Sequence, residues 1–171
     1  KETLSSYLFD GHRTSLIYRL SSKYRDFGRS AKTNPLTRTF IQSIGHYWEW
    51  ASLYCCGSRS EAGKVMGLAA LGDPRAHEKL NILSFQEDGS IALDYVRLFK
   101  TFLMPNIFGQ DLSSNNHYAD LAAMVQNDTE KCLTKLLTML KRKHPTDTLY
   151  YTGGVALNVV ANEKIIRGGL F

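Results

Sequence analysis

A pair of glycines near the carboxyl end is the clearest place in the sequence for ligand chemistry. The stretch reads Thr148-Leu-Tyr-Tyr-Thr-Gly-Gly-Val-Ala-Leu-Asn158, a β-type run that breaks on Gly153 and Gly154 into a helical pattern. Paired glycines let a ligand approach the main chain, and the first N–H groups of a helix favour negative charge. The turn is a candidate phosphate or nucleotide cradle, and Asn158, about a turn and a half into the predicted helix, could add a side-chain amide. An ordinary turn of an α/β unit has the same pattern, so this segment alone favours neither interpretation.

Composition places the chain among globular proteins of one domain, or one large piece of a two-domain enzyme. Its 171 residues contain no apolar run of the roughly 18 residues that span a bilayer, and no signal peptide is evident. Cys55, Cys56 and Cys132 lack the spacing of a zinc or haem site, which predicts reduced thiols in a cytoplasmic protein. Because the sequence begins with Lys1 rather than Met, we expect an excerpt of a longer chain.

The formal charge of +5 is modest, and the basic residues are scattered apart from the run Lys141-Arg142-Lys143. That run ends a predicted helix, where cations face the negative end of the helix dipole. The charge is consistent with nucleotide binding or with no ligand, and it argues against a nucleic-acid partner.

Hydrophobic periodicity predicts both strands and helices, which indicates an α/β or mixed domain rather than an all-helical one. In the first half we predict a hairpin at residues 6–20, a polar surface loop at 21–39, and helices at 40–54 and 60–71. The second half is predicted to contain a hairpin at residues 82–94, an irregular aromatic stretch to 108, a polar loop at 109–116, a long helix at 118–143 and a strand at 148–152. Asn115 or Asn116 could cap the long helix.

Three segments together resemble a known family. They are Asp10-Gly-His-Arg-Thr14, Ser60-Glu-Ala-Gly-Lys-Val-Met-Gly-Leu-Ala-Ala-Leu-Gly72 and Thr152-Gly-Gly-Val-Ala-Leu-Asn-Val-Val-Ala-Asn162. Their residues and their order along the chain resemble those of the carbamoyltransferases of nodulation factors and antibiotic pathways. The match is clear over residues 40–171 and faint before them.

The resemblance implies a domain of the actin, sugar-kinase and Hsp70 superfamily, with a ribonuclease H-like α/β fold. This domain is close to the one that completes threonylcarbamoyl-adenosine on transfer RNA, and a nucleotide lies between its two subdomains. A second domain of the parent chain would make carbamoyl-adenylate from carbamoyl phosphate and ATP. The present type of domain would then move the carbamoyl group to a hydroxyl of a small acceptor.

By the same resemblance, two turns would hold the adenylate. Asp10 and Gly11 with Thr14 would form one turn, and Gly153 and Gly154 the other, facing it across a cleft. For Asp10 itself, the plain alternative of a hairpin turn is the stronger one.

Other site residues also come from the resemblance. Asn158 would reach a ribose or base, and Glu61 and Lys64 match a helix whose carboxylate and lysine lie against the ribose in the transfer RNA relatives. Lys64 could equally be a solvated helix residue or a salt-bridge partner. Independently of the resemblance, the residue type of His12 makes it a candidate acid, base or ligand, although a lone histidine is more often hydrogen-bonded packing.

Members of the family also bind a divalent iron-type metal through an upstream histidine pair spaced four apart and a downstream aspartate. Neither feature occurs in this sequence, so we expect residues 1–171 to be the central part of a carbamoyltransferase catalytic domain that neither holds the metal nor turns over by itself. Two alternatives are a small-molecule kinase of the same superfamily and a catalytically silent nucleotide-binding or scaffold module.

Overall fold

The chain forms two units, Lys1–Ser43 and Ile44–Phe171. The structure, a computed structural model, describes residues 2–21, 43–102 and 116–171. These residues contain five α-helices and two antiparallel sheets of two strands each, which confirms the mixture of helix and strand expected from the sequence. No helix among them is long and apolar enough to cross a membrane.

A β-hairpin makes up the described part of the first unit. Strand β1 spans Glu2–Phe9 and pairs with β2, Thr14–Ser21, so that Phe9 lies opposite Thr14 where the chain turns. The hairpin predicted at residues 6–20 is confirmed. Apart from Ser21, which ends β2, the surface loop predicted at 21–39 lies outside the described residues.

Two helices open the second unit where helices were predicted. Helix α1 spans Ile44–Cys56 and α2 spans Ala62–Ala69, both within or close to the expected bounds. Residues 40–42 lie outside the described ranges. After α2 the chain reaches Gly72, where a Cβ atom would overlap the carbonyl of Ala119, so only glycine lets these two backbones meet.

A second hairpin follows, at the predicted place. Strands β3, Leu83–Phe85, and β4, Ile91–Leu93, pair across a turn in which Gly89 has a φ of +86°. The Asp88 carboxylate accepts hydrogen bonds from the backbone N–H and the hydroxyl of Ser90. Aspartate and glycine therefore have the turn roles that their types predict.

The prediction of an irregular aromatic stretch after this hairpin is wrong for the first part of that stretch. Residues Tyr95–Phe102 form helix α3, and residues 103–108 lie outside the described ranges. The Asp94 carboxylate accepts the N–H of Arg97 at 3.0 Å, and Leu98 and Phe102, four residues apart, are buried. An end cap and one short apolar face suffice here, although aromatic and β-branched residues make the run resemble a strand.

Helix α4, His117–Lys143, is the centre of the second unit and packs against α1, α2, α5 and β3. It confirms the long helix predicted at 118–143. Asn116 occupies the cap position but its side chain makes no capping bond; Asn115 and the loop at 109–115 lie outside the described residues. The buried face of α4 includes Leu121, Val125, Cys132, Leu133, Leu136 and Leu140.

The strand predicted at residues 148–152 is wrong. Both sheets of the described residues are complete without this run, and a β-type sequence forms a strand only where a neighbouring strand accepts its hydrogen bonds. The chain continues through a 3-10 turn, Gly154–Leu157, into helix α5, Val159–Arg167. The two glycines therefore connect an unpaired segment, rather than a strand, to a helix.

Candidate functional site

The Gly153–Gly154 turn opens on unfilled space. Gly153 has a φ of +107° and a ψ of 178°, a conformation almost restricted to glycine. Its carbonyl accepts the N–H of Ala156 at 3.0 Å, which starts the 3-10 turn. A Cβ atom built at either glycine would meet nothing within 4 Å. Packing therefore does not require glycine at these two positions, and the backbone is accessible to a ligand.

Asn158 starts helix α5 rather than lying inside it, which corrects its predicted position. Its Oδ1 accepts the N–H of Ala161 at 3.0 Å, and its Nδ2 donates to Oε1 of Gln126 at 2.9 Å. The Gln126 amide donates back to Oδ1 at 3.2 Å, and both side chains are buried. The Asn158 amide is thus engaged in a cap and a buried amide pair, and its contact with a ribose or base stays a prediction.

Two residues that the sequence analysis missed extend this contact. Gln126 also donates to Oε1 of Glu130 at 2.7 Å, and Oε2 of Glu130 accepts the Lys164 ammonium at 3.0 Å. The Lys164–Glu130 ion pair and the Gln126–Asn158 amide pair attach α5 to α4. The signal in the sequence was a glutamine within the largely apolar face of a predicted helix, a position where a buried polar group requires a partner.

A cavity of about 180 Å³ lies between α2, α4 and the first turn of α5. Its polar lining includes Gln126 and Glu130, and its apolar lining includes Met66, Ala69 and Val160. Because whole small-molecule sites usually occupy about 300–1,000 Å³, this cavity matches part of a ligand, such as a base or a sugar. An amide and a carboxylate at its wall suit hydroxyl or amino groups.

Of the two residues predicted near α2, Glu61 occupies its amino-terminal cap position and Lys64 lies in its first turn. Their side chains form an ion pair of 2.9 Å, and Lys64 is 71% exposed. The hydrogen bond and charge of Glu61 raise the pKa of Lys64. The salt-bridge alternative of the sequence analysis is therefore present, while the contact of either residue with a nucleotide stays a prediction.

In the first unit, Asp10 builds the hairpin turn. Its Oδ1 accepts the backbone N–H groups of His12 at 3.0 Å and Arg13 at 2.8 Å, and these bonds lower the pKa of its carboxyl. Gly11 has a φ of +93°, and His12 and Thr14 are exposed. Asp10 therefore stabilises the turn. A ligand role for Asp10, Gly11, His12 and Thr14 stays a prediction.

The described ranges 2–21, 43–102 and 116–171 also bear on the metal that the resemblance implies. No group of three or more His, Cys, Asp or Glu side chains in these ranges could hold a metal ion. These described residues therefore offer no ligand set for the iron-type metal that the family resemblance implies.

Comparison with known proteins identifies the family. A family model described as "Carbamoyltransferase N-terminus" matches residues 9–171. The chain is 31% identical over 148 residues to the uncharacterized protein sll1178 of Synechocystis sp., covering 77% of this chain and 24% of that protein. It is 29% identical over 178 residues to Nodulation protein NolNO of Sinorhizobium fredii, covering 98% of this chain and 26% of that protein.

The chain thus spans about a quarter of the length of these two curated relatives. The family model covers nearly all of the chain, including the glycine turn, the Glu61–Lys64 helix and Asn158. The resemblance noted in the sequence is confirmed, and the chain belongs to the family of the carbamoyltransferase N-terminus.

Proposed function

We propose that this chain is part of an O-carbamoyltransferase that moves a carbamoyl group from carbamoyl-adenylate to a hydroxyl of a small acceptor. The adenylate would come from carbamoyl phosphate and ATP, made by another domain of a longer cytoplasmic protein. An actin-like arrangement, with a nucleotide between subdomains, is the fold we propose for the complete domain.

The reaction sets three requirements. Carbamoyl-adenylate is an acyl phosphate anhydride, so the acceptor oxygen attacks its carbonyl carbon and AMP departs. The site must position the acceptor, stabilise negative charge on the carbonyl oxygen and hold the leaving phosphate. Backbone N–H groups at a glycine turn can meet the last two requirements, because they carry partial positive charge and lie open to the ligand.

The observation that carries the proposal is the open Gly153–Gly154 turn, within the region that the family model matches. Neither glycine is required by a neighbouring atom, and Gly153 adopts a backbone conformation that other residues rarely adopt. Glycine adopts this conformation without strain and exposes the main chain, as a close approach by a ligand requires. The cavity lined by Gln126 and Glu130 on α4 lies beside the start of α5 and would accept the base or ribose.

The test uses the intact protein and substitutes Gly154 by alanine. An added methyl group meets nothing in the chain and Gly154 has no positive φ, so the fold should remain intact. If a phosphate approaches this backbone closely, calorimetric titration should show ATP affinity at least about tenfold weaker. Unchanged ATP affinity in the folded variant would refute the phosphate cradle.

The control is Gly57→Ala, since Gly57 also opens on empty space but has a φ of +75°. This variant should lose stability through backbone strain and keep its ATP affinity.

The nucleotide product then distinguishes the possible enzyme classes. Carbamoyl transfer through an adenylate releases AMP and needs carbamoyl phosphate, whereas a kinase releases ADP without it. ATP binding without either product would support the silent module.

A further inference from the structure

A second concave surface lies between strand β3 and the carboxyl-terminal half of α4. Its volume is about 560 Å³, within the range of small-molecule sites. Phe85 and Met139 supply apolar lining, and the Met139 sulfur occupies the space that a Cβ atom at Gly89 would fill. This groove shares no lining residue with the α2–α4–α5 cavity or with the Gly153–Gly154 turn. It is therefore independent of the proposed function.

The groove is positively charged along one helix face. Lys135, Thr138 and Arg142 line it, spaced by three and four residues, which places them on the same side of α4. Lys135 and Arg142 are about 10 Å apart along the helix axis. Lys143 is a third cation in the lining, and Glu87 is the one carboxylate among the lining residues.

Among the described residues, Lys135 is not explained by ion pairing or by the helix dipole, whereas Arg142 and Lys143 lie in the last turn of α4, where the dipole favours them. In the parts of the chain that the structure describes, Lys135, Arg142 and Lys143 form no ion pair within 4 Å. Lys141, by contrast, bonds Asp147 and the Thr146 carbonyl. The dipole favours cations only in the last turn, and Lys135 lies two turns earlier.

The geometry points to a binding site for a small organic phosphate in this groove, with its phosphate between Lys135 and Arg142 and its apolar part against Phe85 and Met139. A lysine ammonium, an arginine fork and the Thr138 hydroxyl together match the several oxygens of a phosphate. The concave apolar wall favours a small molecule over nucleic acid, which would use an extended basic face.

In the test, phenyl phosphate and inorganic phosphate are each titrated into the intact protein, and binding is measured by calorimetry. Phenyl phosphate should bind more tightly than inorganic phosphate because only it covers the apolar wall. The double variant Lys135→Gln/Arg142→Gln should weaken phenyl phosphate binding at least tenfold. The control Lys79→Gln/Lys131→Gln removes the same charge from exposed positions outside the groove, and should change the affinity less than twofold.

Other results decide against the site. Equal losses in the two double variants would mean general charge attraction, and unchanged binding in the groove variant would place the phosphate elsewhere. Tighter, steeply salt-dependent binding of a nucleic-acid duplex through the same residues would also overturn the proposal. The Gly154→Ala variant should keep phenyl phosphate affinity, so a failed glycine cradle and a failed groove give different results. Thermal unfolding of each variant confirms that it is folded.

Discussion

Substituting Asn158 by alanine should destabilise the second unit more than a surface change would. The substitution removes the cap on the Ala161 N–H, which costs about 1 kcal/mol. It also leaves the buried Oε1 of Gln126 without its partner, at about 1–3 kcal/mol. The combined loss of about 3 kcal/mol should lower the melting temperature by about 6–12 °C in a chain of this size.

A double-mutant cycle separates the two terms. Asn158→Ser keeps a side-chain oxygen that can cap α5 and loses the amide pair, so its cost should fall below that of alanine. Gln126→Met leaves the Asn158 Nδ2 unpaired. In the double variant Asn158→Ala/Gln126→Met neither amide remains unpaired, and urea unfolding should show a loss about 1–2 kcal/mol smaller than the sum of the single losses.

Additive losses, within about 0.5 kcal/mol, would refute the reasoning because two groups that satisfy each other cannot behave independently. ATP titration of the same variants adds a second readout. If Asn158 is only structural, folded Asn158→Ser keeps its nucleotide affinity. If the side chain also reaches the ribose or base, affinity falls while the protein remains folded.

Other substitutions test the packing and the exposed ion pair. Burial raises the pKa of Asp128 from 3.8 to about 6. The protonated Asp128 therefore stabilises the fold fully when the pH is below the pKa of the unfolded chain, 3.8. This stabilisation, about 3 kcal/mol, is lost as the pH rises through the folded pKa of about 6. Asp128→Asn should remove this pH dependence from urea unfolding curves. Gly72→Ala should cost about 1–3 kcal/mol because its methyl overlaps the Ala119 carbonyl, whereas Gly67→Ala, with open space around it, should gain up to about 1 kcal/mol in thermal unfolding. Lys64→Ala should change the free energy of unfolding by less than about 1 kcal/mol, since the lysine is 71% exposed, and a larger loss would contradict a solvated pair.

Elements determined by nearby residues were predictable from the sequence. The hairpin turns at Asp10 and Asp88 close through bonds to residues two or three positions away, and α4 follows its apolar periodicity. Such interactions are visible in a short window of sequence. The bounds shifted by a few residues because helix ends depend on caps.

Other features were missed because they depend on distant partners. Residues 148–152 have the composition of a strand, but composition does not supply the adjacent strand. Gln126 and Asn158 are 32 residues apart, and the hydroxyl of Tyr47 donates to Asp128 across 81 residues. No periodic pattern links such pairs, so the partner of a buried polar residue such as Gln126 cannot be identified from the sequence.

Helix α4 connects the two candidate sites and also separates them. Gln126 and Glu130 line the cavity next to α5, while Lys135 and Arg142 line the groove next to β3. Between them, Cys132 and Leu133 are buried in the core, which fixes the rotation of the helix about its axis. Because one continuous helix presents both surfaces, the side chains at each can change without altering the element that positions them. Binding at the glycine turn and binding at the groove can therefore be tested independently.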